Sequence, residues 1–209
     1  MITVATNPST DATTREALLT TARRLFAHQG YDATSIREIT REAGANLGAV
    51  TYHFGSKQAL YHAVLEQALE PFADRIVGAA TGPGTPLERV TAVVGEYFDL
   101  LAETEDLPFL LIQEMMARRE APTPMTSVLR RVSGALAELV AEGQADGSIR
   151  EGEPFLMAMS IVAQPVHMSV VAKVMAQVAG IDPRTSGARQ RVHEHTAAFV
   201  RAGLGGRQA

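Results

Sequence analysis

The chain has 209 residues, of which 46% are hydrophobic and 20% are charged, and its formal net charge is -4. These values are those of a globular chain with enough apolar residues for at least one sizeable core. The sequence contains no cysteine, which excludes disulfide frameworks, thiolate metal sites and cysteine nucleophiles. Because the first residues lack a basic segment followed by an apolar one, we predict no signal peptide and a cytoplasmic location.

Charge is unevenly distributed along the chain. Residues 1–60 contain six basic and five acidic residues, a net charge of +1, whereas the rest of the chain contains 13 basic and 18 acidic residues, a net charge of -5. This difference places any polyanionic partner at the N-terminal end, but it is also compatible with ordinary solvated surfaces.

Helical periodicity extends over nearly the whole chain and no segment shows sustained period-two alternation, which predicts an all-α fold. The first helix is expected over about 14–29 and ends at Gly30, a residue suited to a left-handed C-terminal cap. The second is expected to begin close to Ser35, because Ser35 and Glu38 have the spacing of a capping box, and to end at Gly44.

A short third helix follows this turn. Asn46 is its expected N-cap and it ends near Phe54. Ser56 is then the expected cap of a long fourth helix, Lys57–Val77. The connecting turns are too short to cover these helices, so part of the third helix is expected to be exposed.

The Gly- and Pro-rich segment 78–90 is the strongest break in the pattern and a candidate domain boundary. Longer and more apolar helices are expected after it, at about Leu87–Glu103, Leu107–Arg119, Met125–Glu142, Pro154–Val178 and Thr185–Leu204.

The third helix has two different faces when a helical wheel is counted from Leu47. The mostly apolar arc, predicted to face the core, consists of Leu47, Val50, Thr51 and Phe54. The opposite arc has two small residues followed by two polar rings, namely Gly48, Ala49, Tyr52 and His53. Such an arc suits close approach to DNA, with backbone N–H groups near phosphate, but it equally suits a seam between domains. A helix pair joined by a tight turn with an exposed second helix is the helix-turn-helix arrangement.

Residues 24–65 contain a long ordered series of motifs. These are Leu25-Phe26, Gly30-Tyr31, the run from Thr34 to Ile39, Ala43-Gly44, Gly48, Tyr52-His53-Phe54, Ser56-Lys57 and Leu60-Tyr61. In this order they closely resemble the TetR family of bacterial transcription regulators. The resemblance implies a three-helix DNA-binding domain at 1–60, ordered from about residue 13. It also implies a helical domain at 61–209 that binds a small effector and dimerises.

The resemblance also assigns roles to individual residues. Thr34 and Ser35 are expected to contact phosphate at the start of the second helix, and Lys57 to hold backbone phosphate. The residues expected to face the DNA groove are Asn46, Gly48, Ala49, Tyr52 and His53. Arg37 is a further candidate contact, with ion pairing to a neighbouring glutamate as the alternative.

The sequence departs from the family at two positions of the third helix. Leu47 stands where many relatives carry Lys or Arg, and Thr51 stands where many carry Tyr or Asn. Both also fit the core arc of the wheel, although Thr51 lies at its edge and its hydroxyl suits a base or a phosphate. We therefore keep both as candidate DNA contacts and transfer no base preference.

The C-terminal half has apolar segments that contain isolated polar groups, as small-molecule sites do. The candidate effector-binding residues are Phe98, Phe109, Gln113, Glu114, Met116, Phe155, Met159, Gln164, His167 and Met168. The alternative for each is a place in an ordinary core. Segment 109–124 resembles a CecR-like subgroup of the family, and the expected effector is small and hydrophobic.

The segment 154–180 is apolar almost all round, but Lys173 and several polar residues argue against a membrane span. Burial against its own domain on one side and a second subunit on the other explains the same composition. We therefore predict a homodimer through helices at about 154–178 and 185–204, with a kink at Pro165.

The sequence offers poor material for an enzyme. It has no cysteine, no Gly-rich phosphate loop and no convincing metal-ligand spacing among its histidines, so we predict neither a metal nor a cofactor. The predicted function is a ligand-released repressor that binds a palindromic operator. The alternative is a DNA-binding or architectural protein that needs no effector.

Overall fold

The computed structural model describes residues 8–104, 106–117, 120–183 and 185–206, which form α-helices and, within these ranges, no strand. The helices are α1 (Pro8–Gln29), α2 (Ile36–Glu42), α3 (Ala49–Phe54), α4 (Lys57–Thr81), α5 (Pro86–Glu103), α6 (Leu107–Met116), α7 (Thr123–Ala145), α8 (Pro154–Val170), α9 (Ala172–Ala179) and α10 (Ser186–Leu204). The all-α prediction is confirmed. The expected end of the sixth helix, Arg119, lies outside the described residues.

The chain folds into two compact units that are not simple halves of the sequence. The first takes in the chain up to Leu69 together with Phe109–Met125, and the second consists of Glu70–Pro108 and the chain from Thr126 onward. Helices α4, α6 and α7 therefore each contribute residues to both units.

In the first unit, α1 begins six residues earlier than expected and ends as expected at Gly30. The φ of Gly30 is +84°, in the left-handed region, and its N–H donates to the carbonyl oxygen of Phe26 at 2.9 Å. The hydroxyl of Thr34 donates to the Gly30 carbonyl oxygen at 2.8 Å. The turn after α1 is thus closed by a side chain that is itself buried.

Two of the three expected N-caps in this unit are confirmed. The Ser35 hydroxyl accepts the N–H of Glu38 at 3.1 Å and caps α2, and the Ser56 hydroxyl accepts the N–H of Ala59 at 3.0 Å at the start of α4. The expected Asn46 cap is wrong. A turn comes first, in which the Ala49 N–H donates to the Asn46 carbonyl oxygen at 3.0 Å, so α3 begins only at Ala49 and Gly48 is its N-cap.

Helix α6 completes the first unit through two polar contacts. The Gln113 amide donates to the carbonyl oxygen of Ala27 at 2.8 Å, and the Tyr61 hydroxyl donates to the Glu114 carboxylate. The ring of Tyr61, which is 2% exposed, also packs edge-on against Phe26 with ring centroids 4.8 Å apart. Residues distant in sequence thus hold α1, α4 and α6 together.

In the second unit, α5 is the central helix, and both α8 and α10 pack on it. Its buried face includes Val90, Val93, Val94 and Tyr97. The Tyr97 ring packs edge-on against Phe72 with centroids 5.1 Å apart, and burial raises the pKa of its hydroxyl above the ordinary range. These contacts place the core of this unit around α5.

The long helix expected at 154–178 is divided in the structure. The break falls at Val171, where α8 and α9 meet at an angle of 62°, and not at Pro165, which lies within α8. The Ser169 hydroxyl donates to the Pro165 carbonyl oxygen at 2.9 Å, a back-bonding pattern that bends helices just before the break. No single helix in the described ranges is both long and apolar enough to span a membrane, and α8 and α9 meet these criteria only as a bent pair.

The start of α5 gives a test of local stability. Thr85 and Glu88 form a complete capping box, in which the Thr85 hydroxyl accepts the Glu88 N–H and the Glu88 carboxylate accepts the Thr85 N–H at 2.8 Å. We expect Thr85→Ala to lower the free energy of unfolding by about 1 kcal/mol, measured by urea denaturation. Thr81→Ala, at the other end of the preceding turn, is the matched control and should change stability much less. Equal effects of the two changes would contradict the assignment.

The same box predicts a pH dependence. The bonds from Thr85 lower the pKa of the Glu88 carboxyl below its ordinary 4.5. A lowered pKa in the folded state stabilises the protein above the unfolded pKa, and this contribution disappears as the pH falls through the folded value. The difference in stability between the parent protein and Thr85→Ala is therefore expected to shrink well below pH 4.5.

Candidate nucleic-acid interface

The exposed side of α3 and of the turn before it is the candidate surface for nucleic acid. Leu47 is 54% exposed, Tyr52 is 69% exposed, and Thr51 between them is exposed as well. Asn46 and Gly48 are exposed in the preceding turn. We call these five residues the reading face.

The two arcs predicted for this helix are corrected by the structure. Ala49 and Val50 are buried, and the His53 side chain is only 7% exposed, whereas Leu47 and Thr51, expected in the core, are exposed. The reason is that the helix begins only at Ala49, so Leu47, which marks the core arc in the predicted wheel, is not part of it.

A wheel counted from Ala49, at about 100° per residue, explains the burial. Ala49, Val50, His53 and Phe54 then share an arc of about 140°, and Thr51 and Tyr52 occupy the rest. Leu47 precedes the helical residues, so the wheel does not apply to it.

His53 attaches α3 to α1 and does not belong to the reading face. Its Nε2 atom lies 3.5 Å from the Asp11 carboxylate of α1, and its ring packs edge-on against that of Tyr52 with centroids 4.9 Å apart. The Arg15 guanidinium lies over the Phe54 ring, 5.2 Å from its centroid. Sequence reasoning missed Asp11 because it placed the start of α1 after this residue.

The expected phosphate contacts on α2 differ in their accessibility. Thr34 is 1% exposed and its hydroxyl is bonded to Gly30, so its side chain has no access to phosphate. Ser35 and Arg37 are exposed. Helix α2 packs on α3 within the first unit, so Ser35 and Arg37 lie on an element adjacent to the one that carries the reading face.

Lys57, at the start of α4, lies on an aromatic ring. Its ammonium nitrogen is 4.3 Å from the centroid of the Tyr31 ring, a cation–π arrangement. Partial burial lowers the pKa of Lys57, and the nearby Asp32 carboxylate opposes this shift. Tyr31 in turn stacks on Phe26, so the amine is held on the core of the first unit.

The ten candidate effector-binding residues are divided between the two units. The first unit contains Phe109, Gln113, Glu114 and Met116, and the second contains Phe98, Phe155, Met159, Gln164, His167 and Met168. Gln113 and Glu114 bind groups of α1 and α4, and Phe109 and Met116 are exposed.

The described residues of the second unit line a small cavity and a wider groove. Gln164 lines the cavity, of about 150 Å³, with Met157, Ile161 and Phe199. The groove, of about 470 Å³, is lined by α5 and α10 residues that sequence reasoning did not select, including His193. The Nε2 atom of His193 is buried without a hydrogen-bond partner, and its ring lies 5.9 Å from that of Phe98. Sequence reasoning found no signal for this groove, because the residues that line it lie on two helices that are distant in sequence.

Comparison with known proteins gives matches over both units. A family model described as "Bacterial regulatory proteins, tetR family" matches residues 18–64, and one described as "Tetracyclin repressor-like, C-terminal domain" matches residues 86–200. The first match contains α2 and α3, and therefore the whole reading face.

Individual relatives agree with these matches. The chain is 28% identical over 147 residues to the HTH-type transcriptional repressor KstR2 of Mycolicibacterium smegmatis, covering 68% of this chain and 71% of that protein. Two solved structures share the fold at 18% identity. The transcriptional regulator FadR of Bacillus subtilis in complex with stearoyl-CoA has a TM-score of 0.74, covering 90% of this chain and 98% of its own. AibR in complex with isovaleryl coenzyme A and operator DNA has a TM-score of 0.73, covering 89% and 97%.

The exposure of Tyr52 predicts a specific effect on DNA binding. We expect Tyr52→Ala to weaken binding to a selected DNA site about tenfold and binding to unrelated DNA much less, because a residue facing base edges contributes mainly to discrimination. Fluorescence anisotropy measures the affinity of each variant for the selected site and for unrelated DNA. Tyr52→Phe is the control that separates the ring from the hydroxyl, and an equal loss on both DNAs with Tyr52→Ala would refute the role.

Lys57 is expected to behave differently, since a phosphate contact carries no sequence information. Lys57→Ala should weaken binding to both DNAs and reduce the slope of log affinity against log salt concentration by about one. Arg130→Ala, which removes an exposed guanidinium from α7 of the second unit, is the control. An unchanged slope with Lys57→Ala would contradict a phosphate contact.

Proposed function

Because the chain belongs to the TetR family of bacterial transcription regulators, we propose that it binds a palindromic DNA operator as a homodimer and is released by a small hydrophobic effector. Its family consists of DNA-binding regulators and not of enzymes. The observation that carries the proposal is the exposed reading face on α3, inside the segment that matches the DNA-binding part of the family.

We assign DNA binding to residues 1–60 and effector binding and dimerisation to 61–209. The proposed DNA contacts are Ser35, Arg37, Asn46, Leu47, Gly48, Thr51, Tyr52 and Lys57, all in the first unit. Thr34, Ala49 and His53 are kept out of this set because their side chains are buried. Their role is to position α2 and α3 for the contacts that the other residues make.

Dimerisation is supported by apolar side chains on the last three helices. Leu156 on α8 is 63% exposed, Val174 and Val178 on α9 are 57% and 82% exposed, and Phe199 on α10 is 60% exposed. Exposed apolar residues concentrated on neighbouring elements are typical of an interface. Two copies related by a two-fold axis place two reading helices about 34–36 Å apart, or a multiple of it, which is what a palindromic site requires.

The effector is proposed to be the acyl chain of an acyl-coenzyme A thioester, which is the hydrophobic part of that molecule. Two proteins with this fold were solved with such molecules bound, stearoyl-CoA in one and isovaleryl coenzyme A in the other. The second unit of this chain has an apolar cavity with Gln164 as a polar group and a wider groove beside His193, so hydrophobic ligands have candidate places there.

Release is proposed to act through α4 and α6, which contribute residues to both units. A ligand that favours a different position of α6 would act on the Gln113–Ala27 and Glu114–Tyr61 hydrogen bonds that tie α6 to the first unit. Such a ligand lowers DNA affinity only to the extent that it binds the two arrangements differently.

The proposal is tested by selection of a DNA site from random sequences with the full chain. We expect a palindrome, bound by two copies, and release of the protein when acyl-coenzyme A thioesters of increasing chain length are added. Free coenzyme A, which keeps the nucleotide part and lacks the acyl chain, is the matched control. Failure to enrich any site would refute operator binding, and enrichment without release would refute an acyl-coenzyme A thioester as the effector.

A further inference from the structure

The reading face lacks the side chains that recognise guanine by paired hydrogen bonds. Its five residues include no Arg, Lys or Gln, and among them only Asn46, in the turn before α3, has the amide that suits adenine. The remaining side chains are those of Leu47, Thr51 and Tyr52. Recognition of bases by this face must therefore depend largely on apolar and hydroxyl contacts.

Leu47 is the most informative member of the face. It is 54% exposed, and its side chain has neither a donor nor an acceptor. A leucine presented to the major groove finds its largest apolar contact at the C5-methyl group of thymine, because the groups that distinguish the other bases there are donors and acceptors.

Thr51 adds a second methyl group to the same face. It lies in the first turn of α3, directly before Tyr52, and it is exposed. Its side chain carries both a methyl group and a hydroxyl, and apolar contact of the threonine methyl with thymine is a known mode of readout. Gly48 adds no side chain between Leu47 and the buried Ala49, so the backbone here can come close to the DNA.

We propose that Leu47 and the methyl group of Thr51 read thymine through its C5-methyl group, so that each operator half-site contains thymine opposite α3. The proposal rests on the proposed function, since it needs α3 in the major groove. It goes beyond that function by naming the base and the chemical group that the protein recognises.

The experiment removes one methyl group at a time from the DNA. In the operator obtained by selection, each thymine is replaced by deoxyuridine, which differs only in lacking the C5-methyl group, and the affinity of the full-length protein is measured. Burial of one methyl-sized group predicts a loss of about fourfold for a position in one half-site and about 16-fold when both half-sites are changed.

Variants of the protein then show which residue contacts each thymine. Leu47→Ala and Thr51→Ser should each lose the preference for thymine over deoxyuridine at the one position that the changed residue contacts, because the contact with the methyl group is already lost there. Thr51→Val keeps a methyl group and removes the hydroxyl, so it should retain the discrimination. Leu129→Ala, which truncates an exposed leucine of α7, is the control and should discriminate like the parent protein. Circular dichroism checks that each variant is folded.

The possible outcomes separate this inference from the function on which it rests. If no operator is enriched, the proposed function fails, and this inference fails with it. If an operator is enriched but deoxyuridine is tolerated at every position, the inference is overturned and the proposed function stands. Discrimination that persists at every thymine position in both Leu47→Ala and Thr51→Ser also overturns it.

Discussion

The packing of α3 on α1 is the contact on which the DNA-binding surface depends. Val50 is fully buried, and His53 reaches the Asp11 carboxylate of α1. These contacts fix the rotation of this short helix about its own axis. A helix of six residues gains little from its own hydrogen bonds and owes its position to such tertiary contacts. Rotation by a single residue would bring a buried neighbour of Thr51 or Tyr52 to the surface and so change the helical part of the reading face.

Much of the first unit could be predicted because its signals are local. Gly30 ends α1, and Ser35 and Ser56 cap α2 and α4, since a left-handed glycine or a capping hydroxyl acts over a few residues. The faces of α3 were predicted wrongly, because the turn at Asn46 delays the helix and leaves Leu47 outside it, so this apolar residue does not mark the buried arc. The break at Val171 was missed for a related reason: a proline suggests a bend but does not fix its position.

The effector site shows a second limit of sequence reasoning. An apolar pattern predicts that a residue is buried, but not which element covers it. Gln113 binds a carbonyl 86 residues away and Glu114 binds a hydroxyl 53 residues away, so their hydrogen bonds belong to the packing of the first unit. The groove beside His193 is formed by α5 and α10, which are distant in sequence, and no motif marks it. The family resemblance supplied the function and could not supply these partners.

The first unit is discontinuous in sequence, and this limits how such a protein can be recombined. A fragment cut at Leu69 loses α6, and with it the groups that bind Ala27 and Tyr61 in the core of the unit. A crossover at the end of α4 therefore does not transfer a complete DNA-binding part that could be joined to the effector-binding part of another relative. A chimera between two relatives keeps the first unit intact only when the incoming segment supplies side chains equivalent to Gln113 and Glu114. In evolutionary terms, the two functions share a stretch of chain and are constrained to change together.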